Sequence, residues 1–458
     1  MKLLLTVHQF YPDSTGGTET LTLDTAKELR RQGHEVTIFA GFHTKRPLQD
    51  QERFDSYEYC GFRVERFYHH RVPMGQQKNI AEAEHNNTFF GEHFTSYLKR
   101  VRPDVVHFFH MLRMSASMVE ACYRLDVPTV MTPTDFWLVC PTIQLLLPNN
   151  SLCAGPDVNS VNCLRHIVSL SQPRSIDSVF SIAPDWLVAR AVQAVRRMPR
   201  VAKGPISHIQ ALVHRPDFLR SCFRKIDRVL VPSRILERTL KQNGYVSDNM
   251  VVSPYGIDLS HSYSERVFGS NDRRLRLGFI GTLYKHKGAH VLIRAIRSLP
   301  QSEAVELKVY GDTGQFPAYV QELKQVAGSD SRIEFCGTFP NSQIGAILAS
   351  LDVLVVPSIW YENTPLVIYS AQAAGCPVIA SNLGGMSEVV RHNDNGLLFA
   401  PGDASELASM IAQLARNRER VRQLSKTNKP KSISDYAKEL TQVYADIVRQ
   451  KREVRCAV

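Results

Sequence analysis

The chain has no apolar run approaching the ~18 residues that a membrane-spanning helix needs, so a helical membrane protein is not expected. It carries no Asp-x-Asp pair of the kind that gathers a divalent cation. It has no recognised nucleic-acid motif, and its aromatics are not interleaved with positive charge in a stacking pattern, which argues against RNA or DNA as a partner. Its nine cysteines are odd in number and cannot all pair. The opening apolar residues stop at Thr6 and His8 without a small-residue cleavage site, so they read as a first buried strand and not as a leader. Together these point to a reducing, cytoplasmic compartment.

Acidic residues are the minority: 44 Asp and Glu stand against 55 Lys and Arg, a net charge of +11. The excess is shared by both halves, but between Arg190 and Arg228 ten basic residues meet only two acids, interleaved with Ala, Val, Leu and Phe. This reads as basic amphipathic helices, either a solvated face or a peripheral contact with the inner face of a membrane.

At 458 residues the chain exceeds one ordinary core, so two domains are expected. Strand and helix signals alternate through both halves. Strands are predicted at 2–9, 35–40, 104–109, 127–132 and 227–231, with a helix over 18–31 and another over 115–125. A polar, Ser-rich stretch at 259–271 reads as a linker, after which strands recur at 275–280, 305–310, 333–336, 353–356 and 378–380. The pattern is that of parallel doubly wound α/β sheets, with domains at 1–262 and 263–435 and a last helix from 436. The stretch from Cys140 to about 181 reads as an irregular loop.

Chemistry concentrates where strands end. The loop Phe10-Tyr-Pro-Asp-Ser-Thr-Gly16-Gly17-Thr-Glu19 joins the first strand to a helix, where backbone N–H groups are open to a phosphate or a sugar hydroxyl. Gly281, Thr282 and Lys287 follow the strand 275–280, and a cation there is suited to a diphosphate. Gly311, and Gly337 with Phe339, follow two further strands. The segment Ser358-Ile-Trp-Tyr-Glu362-Asn363-Thr364-Pro-Leu366-Val-Ile-Tyr-Ser370 lies between a buried strand and a helix, where open parallel sheets bind nucleotides.

These segments resemble the retaining glycosyltransferases of family 4, whose donor motif is Glu-x7-Glu. The first Glu is Glu362, while the second position holds Ser370. The resemblance runs over nearly the whole chain. It implies the GT-B fold: two facing Rossmann-like domains, the first on the acceptor side, the second binding the donor, and the last helix crossing back. The implied reaction moves a sugar from a nucleotide diphosphate sugar to an acceptor hydroxyl of a sugar or lipid-linked sugar. It serves cell-surface polysaccharide or glycolipid synthesis, with no cofactor or metal required. Glu362 would hold the donor sugar, and Asn363, Thr364, Leu366 and Ser370 would lie along the nucleotide, Lys287 against the diphosphate and Phe339 near the base. Where the family has His-Asp after the strand at 127–132, this chain has Thr134-Asp135, which leaves His110 and Asp135 as polar candidates for the reaction. The two departures also keep open a non-catalytic scaffold protein of this fold. An epimerase or phosphorylase of the same fold fits the motif spacing less well.

One cluster stands apart from the resemblance. Cys140, Cys153, Cys163 and His166 supply four ligands of the type zinc takes, ending in Cys-x-x-His. Buried thiols are the alternative reading.

Overall fold

A computed structural model describes residues 1–44, 46–149, 151–171, 183–200, 204–259, 274–425 and 430–457. The chain divides into two compact units, Met1–Pro254 with Ser434–Val458, and Tyr255–Ile433. The division falls before the boundary predicted at 262, and residues 260–271 of the predicted linker lie outside the described residues.

The first unit holds an eight-stranded sheet. In chain order the strands are β1 Lys2–Val7, β2 Glu35–His43, β3 Phe54–Tyr59, β4 Phe62–His69, β5 Val105–Phe108, β6 Thr129–Met131, β7 Arg228–Val231 and β8 Met250–Val252. Their spatial order is β3-β4-β2-β1-β5-β6-β7-β8. All neighbours are parallel except the hairpin of β3 and β4, which caps one edge. That hairpin departs from the all-parallel expectation. Cys60-Gly61 turns it with both residues at positive φ, and Asp55, Ser56 and Glu58 of the edge strand β3 are exposed, which one-sided burial allows. The interior strands have no such alternation: Leu3, Leu4, Leu5 and Val7 of β1 are all buried, because helices cover both faces. The region 140–181 is not wholly irregular, since Val161–Ser171 is helical; residues 172–181 lie outside the described residues.

The helix Ile433–Ala457 follows the second unit in sequence, yet from Ser434 onward it belongs to the first. Tyr436, Leu440, Tyr444 and Ile447 bury one face of it, and the Tyr444 hydroxyl lies 2.6 Å from Nδ1 of buried His107 on β5. Nε2 of the same ring meets Thr132 Oγ1 at 2.8 Å. Burial lowers the His107 pKa to about 3. His85 is lowered to about 3 and His69 to about 4, chiefly by burial, with the positive charge of Arg215 and the neighbouring His43 next in turn.

These rings are neutral when folded and titrate near 6.5 when unfolded, so the unfolded chain binds more protons below pH 6.5. Their contribution is therefore complete above pH 6.5 and is lost as pH falls, by up to about 1.4 kcal/mol per pH unit for each ring. Denaturant unfolding between pH 7 and 5 should show stability falling with an uptake of more than one proton. A flat profile would contradict neutral buried rings.

The second unit holds six parallel strands: β9 Leu275–Ile280, β10 Val305–Tyr310, β11 Ile333–Gly337, β12 Val353–Val356, β13 Val378–Ser381 and β14 Gly396–Phe399. They lie in the order β11-β10-β9-β12-β13-β14. Val353 and Val355 pack into one hydrophobic cluster with the helix Ala289–Ser298, whereas Leu354 and Val356 pack into another with the helix Leu366–Ala373. This period-two division of a fully apolar strand is the physical signature of a sheet covered on both sides.

Candidate active site

In both units the strand order reverses at one point, the place where open α/β sheets generally bind ligands, outside the carboxyl ends of the strands. In the second unit the reversal lies between β9 and β12. The segment after β9 forms a single 3-10 turn, Lys285–Lys287, ended by Gly288 at φ +75°. The segment after β12 runs Pro357 to Pro365 before the helix Leu366–Ala373 begins. The two are stitched together by Ile359 N–H donating to the His286 carbonyl at 2.9 Å.

Across this seam Lys287 Nζ donates to Glu362 Oε1 at 2.7 Å. The same oxygen accepts from Ser358 Oγ and from Trp360 Nε1, each at 2.8 Å. Burial pushes the Glu362 carboxyl upward, but the Lys287 charge and the three hydrogen bonds outweigh it, leaving the pKa below the ordinary value. The ammonium also sits 5.2 Å over the Trp360 ring, which stacks obliquely on His286 at 4.6 Å. Sequence reasoning gave Lys287 to a diphosphate and Glu362 to a sugar as separate contacts. The structure joins them in one ion pair, with Lys287 in a turn and not at a free helix start.

The backbone behind Glu362 is fixed by a glycine pair that sequence reasoning passed over. Gly385 N–H donates to the Glu362 carbonyl at 2.7 Å, and a Cβ on Gly385 would stand 1.4 Å from the Asn363 carbonyl oxygen. Asn363 Nδ2 reaches the Tyr255 hydroxyl at 3.1 Å, and Thr364 Oγ1 donates to the Asn363 carbonyl at 2.6 Å. Leu366 is half-buried at the helix start, and Ser370, one turn on, donates to the Leu366 carbonyl at 3.3 Å. Gly281 follows β9 and its carbonyl lies against Gly311, where a Cβ would come within 2.3 Å of it. Thr282 is exposed, Gly337 takes φ +71° at the end of β11, and Phe339 meets the Tyr310 ring edge to face at 5.4 Å. The predicted donor residues of the second unit thus lie at or follow the carboxyl ends of β9 to β12, while Gly16 and Gly17, also expected at the donor, follow β1 in the first unit.

In the first unit the reversal lies between β1 and β5. The His8 ring, just after β1, stacks on His110, just after β5, at 4.3 Å. Arg113 Nη1 donates to the His8 carbonyl at 3.2 Å and to Gln9 Oε1 at 2.9 Å. His110 has partners at both ring nitrogens. Its Nδ1 accepts Leu112 N–H at 3.0 Å, so Nε2 carries the hydrogen and donates to Asp135 Oδ2 at 2.7 Å. Asp135 Oδ1 in turn accepts Trp137 N–H at 2.8 Å. With both ring nitrogens engaged, the pair links the two loops.

At the Gly16-Gly17 loop an acidic side chain lies over the helix start. The helix Gly17–Arg31 starts there, but the buried Glu19 carboxylate folds back over it, 2.6 Å from where a Gly16 Cβ would stand, and accepts from Ser14 Oγ at 3.1 Å. A carboxylate at that helix start repels phosphate and suits hydroxyl donors.

Two family models match the chain: glycosyl transferases group 1 over residues 274–417 and Glycosyltransferase Family 4 over residues 15–151. The chain thus carries a domain of each of these two glycosyltransferase models. The amylovoran biosynthesis glycosyltransferase AmsK of Erwinia amylovora is 26% identical over 209 residues, 44% of this chain and 51% of the relative. The D-inositol 3-phosphate glycosyltransferase of Corynebacterium kroppenstedtii is 26% identical over 212 residues, 44% of this chain and 47% of the relative. The chain spans about half the length of the curated relatives it matches. Among solved structures, sucrose-phosphate synthase of Thermosynechococcus elongatus superposes over 100% of both chains with TM-score 0.61 and 17% identity. Anabaena HepE, solved with UDP and glucose, covers 100% of both chains with TM-score 0.57 and 19% identity. The fold is GT-B, as these neighbours are.

Proposed function

We propose that the protein is a retaining glycosyltransferase that moves a sugar, of hexose type, from a nucleotide diphosphate sugar to an acceptor hydroxyl in cell-surface polysaccharide or glycolipid synthesis. The observation that carries this reading is the Lys287–Glu362 pair at the reversal point of the second sheet. A donor sugar offers hydroxyl donors to the ionised Glu362, and its diphosphate offers a counter-charge to Lys287. Stabilising the negative charge that builds on the departing phosphate is then the work of Lys287 and of the backbone N–H groups beside Gly281 and Thr364, without a required metal. The leaving phosphate itself accepts the acceptor's proton, so a second catalytic carboxylate is not needed. The neighbours' bound UDP and glucose agree with this donor class.

Glu362→Gln tests it. Turnover with the preferred nucleotide sugar should fall by about 10²–10³-fold, the usual cost of one preorganised charge-stabilising contact. Affinity for the free nucleoside diphosphate should hold or rise, because Lys287 loses its competing partner. Equal losses of both would remove Glu362 from the sugar.

The acceptor side is proposed to work at an anionic membrane surface. No helix among the described residues is long and apolar enough to cross a membrane. The helix Asp185–Arg197 exposes Trp186 and Leu187 beside Arg190, whose guanidinium lies 5.6 Å from the Trp186 ring. Of the other basic residues, Arg196 and Arg220 pair with Asp217, Lys225 pairs with Glu120, and Arg215 is buried, so the basic face is narrower than the sequence count implied. Co-sedimentation with phosphatidylglycerol vesicles should weaken on Trp186→Ser and with added salt. Binding indifferent to both would contradict it.

A further inference from the structure

The sulfur-rich loop does not form the zinc site read from its residues. Cys140, Cys153, Cys163 and His166 line a space of about 10 Å³, and among the described residues no group of three or more His, Cys, Asp or Glu could hold an ion. A cavity of about 200 Å³ in the same unit is a different matter. A single water needs about 10–15 Å³, so this one has room for a ring of sugar size. It lies between the short helix Ile80–Ala83, with the residues just after it, and the helix Pro205–Phe223. Neither His8 nor His110, which mark the reversal point of the first sheet, lines it.

Its lining divides into groups already engaged and groups left open. Asn79 Oδ1 accepts from the N–H groups of Ala81 and Glu82 at 3.0 and 3.4 Å, while its Nδ2 donates to the Ser207 carbonyl at 2.8 Å. Gln210 Nε2 donates to the Pro199 carbonyl at 3.0 Å, and Asp217 pairs with both Arg196 and Arg220. These groups build the walls. The half-buried Glu82 carboxylate and Asn86 side-chain amide, by contrast, have no partner among the described residues. His85 Nδ1 lies 3.0 Å from the Ala81 carbonyl, which can only accept, so Nδ1 carries the hydrogen and Nε2 of this buried, cavity-lining ring keeps a lone pair. Phe218 meets the His85 ring edge to face at 5.7 Å and adds an apolar wall.

We propose that this cavity binds one uncharged sugar residue of the acceptor, a neighbour of the residue whose hydroxyl reacts. The open groups are chiefly acceptors, the Glu82 oxygens and His85 Nε2, and what they lack is donors. Sugar hydroxyls supply them: adjacent hydroxyls donate to Glu82 and His85 and accept from Asn86 Nδ2, while the C–H face of the ring packs on Phe218. An anion fits less well. Arg200 is the one arginine or lysine of the lining, and a phosphate beside it would meet the carboxylates of Glu82 and Asp217 as well. Burial, then the charges of Arg196 and Arg200, hold His214 below its ordinary value, so it adds no cation near pH 7. The assignment rests on the reading of the first unit as the acceptor side. It makes the acceptor a chain of two or more sugars, since the cavity stands apart from the reversal point.

The test is saturation-transfer NMR of the full chain with the methyl glycosides of glucose, galactose, mannose and N-acetylglucosamine at millimolar concentration. At least one should bind. Glu82→Gln should weaken that binding by about 10–100-fold, the worth of a charged hydrogen-bond partner, and Asn86→Ala by about 5-fold. Both should leave the melting temperature unchanged, since neither side chain has a partner to lose. Glu362→Gln should leave glycoside binding as it is, because that carboxylate belongs to the second unit. Binding lost in Glu362→Gln but kept in Glu82→Gln would put the sugar in the donor crevice and overturn the proposal. So would silence from all four glycosides, binding unchanged in both Glu82→Gln and Asn86→Ala, or displacement of the glycoside by inorganic phosphate. The two readings fail separately. Sugar transfer without glycoside binding removes this subsite alone, whereas glycoside binding that falls with Glu82→Gln in a protein that takes no nucleotide removes the donor reading alone.

Discussion

Lys287→Ala is expected to lower the free energy of unfolding by about 3 kcal/mol and to abolish sugar transfer. Removing one partner of a buried ion pair costs about 3–5 kcal/mol, because the other charge is left without compensation. The low end applies here, since Lys287 is itself 26% exposed and water enters where the ammonium stood. Ser358 and Trp360 continue to donate to Glu362 Oε1, so the carboxylate is not orphaned, but it loses the strongest influence holding its pKa down.

The pH dependence follows with a definite sign. In the wild type the folded Glu362 pKa lies below the ordinary 4.5, so the unfolded chain binds the proton first and the pair's stabilisation is complete above pH 4.5 and lost below it. In Lys287→Ala the burial effect remains and the folded pKa moves up, so the stability gained above pH 4.5 shrinks or changes sign. Urea unfolding of the two proteins at pH 7 and pH 4 measures this directly. A difference that does not narrow at pH 4 would mean that the Lys287–Glu362 charge pair is not its source. Lys287→Arg keeps the charge but not the compact ammonium over Trp360, and should recover stability more than transfer.

Most strands were legible because their physics is local. The run at 353–356 is apolar at every position, is bounded by Asp352 and Pro357, and forms β12 at those same residues. The helix at 18–31 announces itself by Gly16-Gly17 before it and Gly33 after it. The hairpin of β3 and β4 was not legible: Phe54–Tyr59 mixes Asp, Ser and Glu into an edge strand, held in the sheet only through the pairing of Phe62–His69 with β2. At the site, residue types were readable and partners were not. Lys287 and Glu362 lie 75 residues apart, and only the adjacency of β9 and β12 brings them to 2.7 Å. His110 illustrates the reverse case. A histidine at a strand end invites a polar role or a structural one, and its partners, Leu112 N–H and Asp135, are set by backbone geometry that composition cannot express. Gly384-Gly385 left a signal in the sequence, a glycine pair just after a strand, of the same kind that was read at Gly16-Gly17.

The glycines around the donor crevice are expected to respond to alanine in three different ways, and Gly288→Ala should be the most damaging. Its φ of +75° is a conformation that costs an L-residue about 1–2 kcal/mol. The larger cost is steric: a Cβ would lie 1.8 Å from the Pro357 carbonyl oxygen, a backbone atom that no side-chain rotation can move away. The segment after β12 must therefore retreat from the turn Lys285–Lys287, breaking the Ile359–His286 hydrogen bond and the Lys287–Glu362 pair that depends on the same closeness. Loss of a buried pair alone is worth about 3 kcal/mol or more, so the sum should exceed that of Lys287→Ala. Gly337→Ala faces the positive φ alone, at +71° with nothing within 4 Å of the new methyl, and should cost about 1 kcal/mol. Gly281→Ala has no positive φ and meets only the Phe279 ring at 3.8 Å, an ordinary contact, so its stability should be almost unchanged. Denaturant unfolding of the three variants gives the ranking, and nucleotide binding by calorimetry shows whether Gly288→Ala loses the site with the stability. If Gly288→Ala and Gly281→Ala unfold alike, the turn and the segment after β12 are not in contact as described, and the ion pair that their closeness creates loses its support.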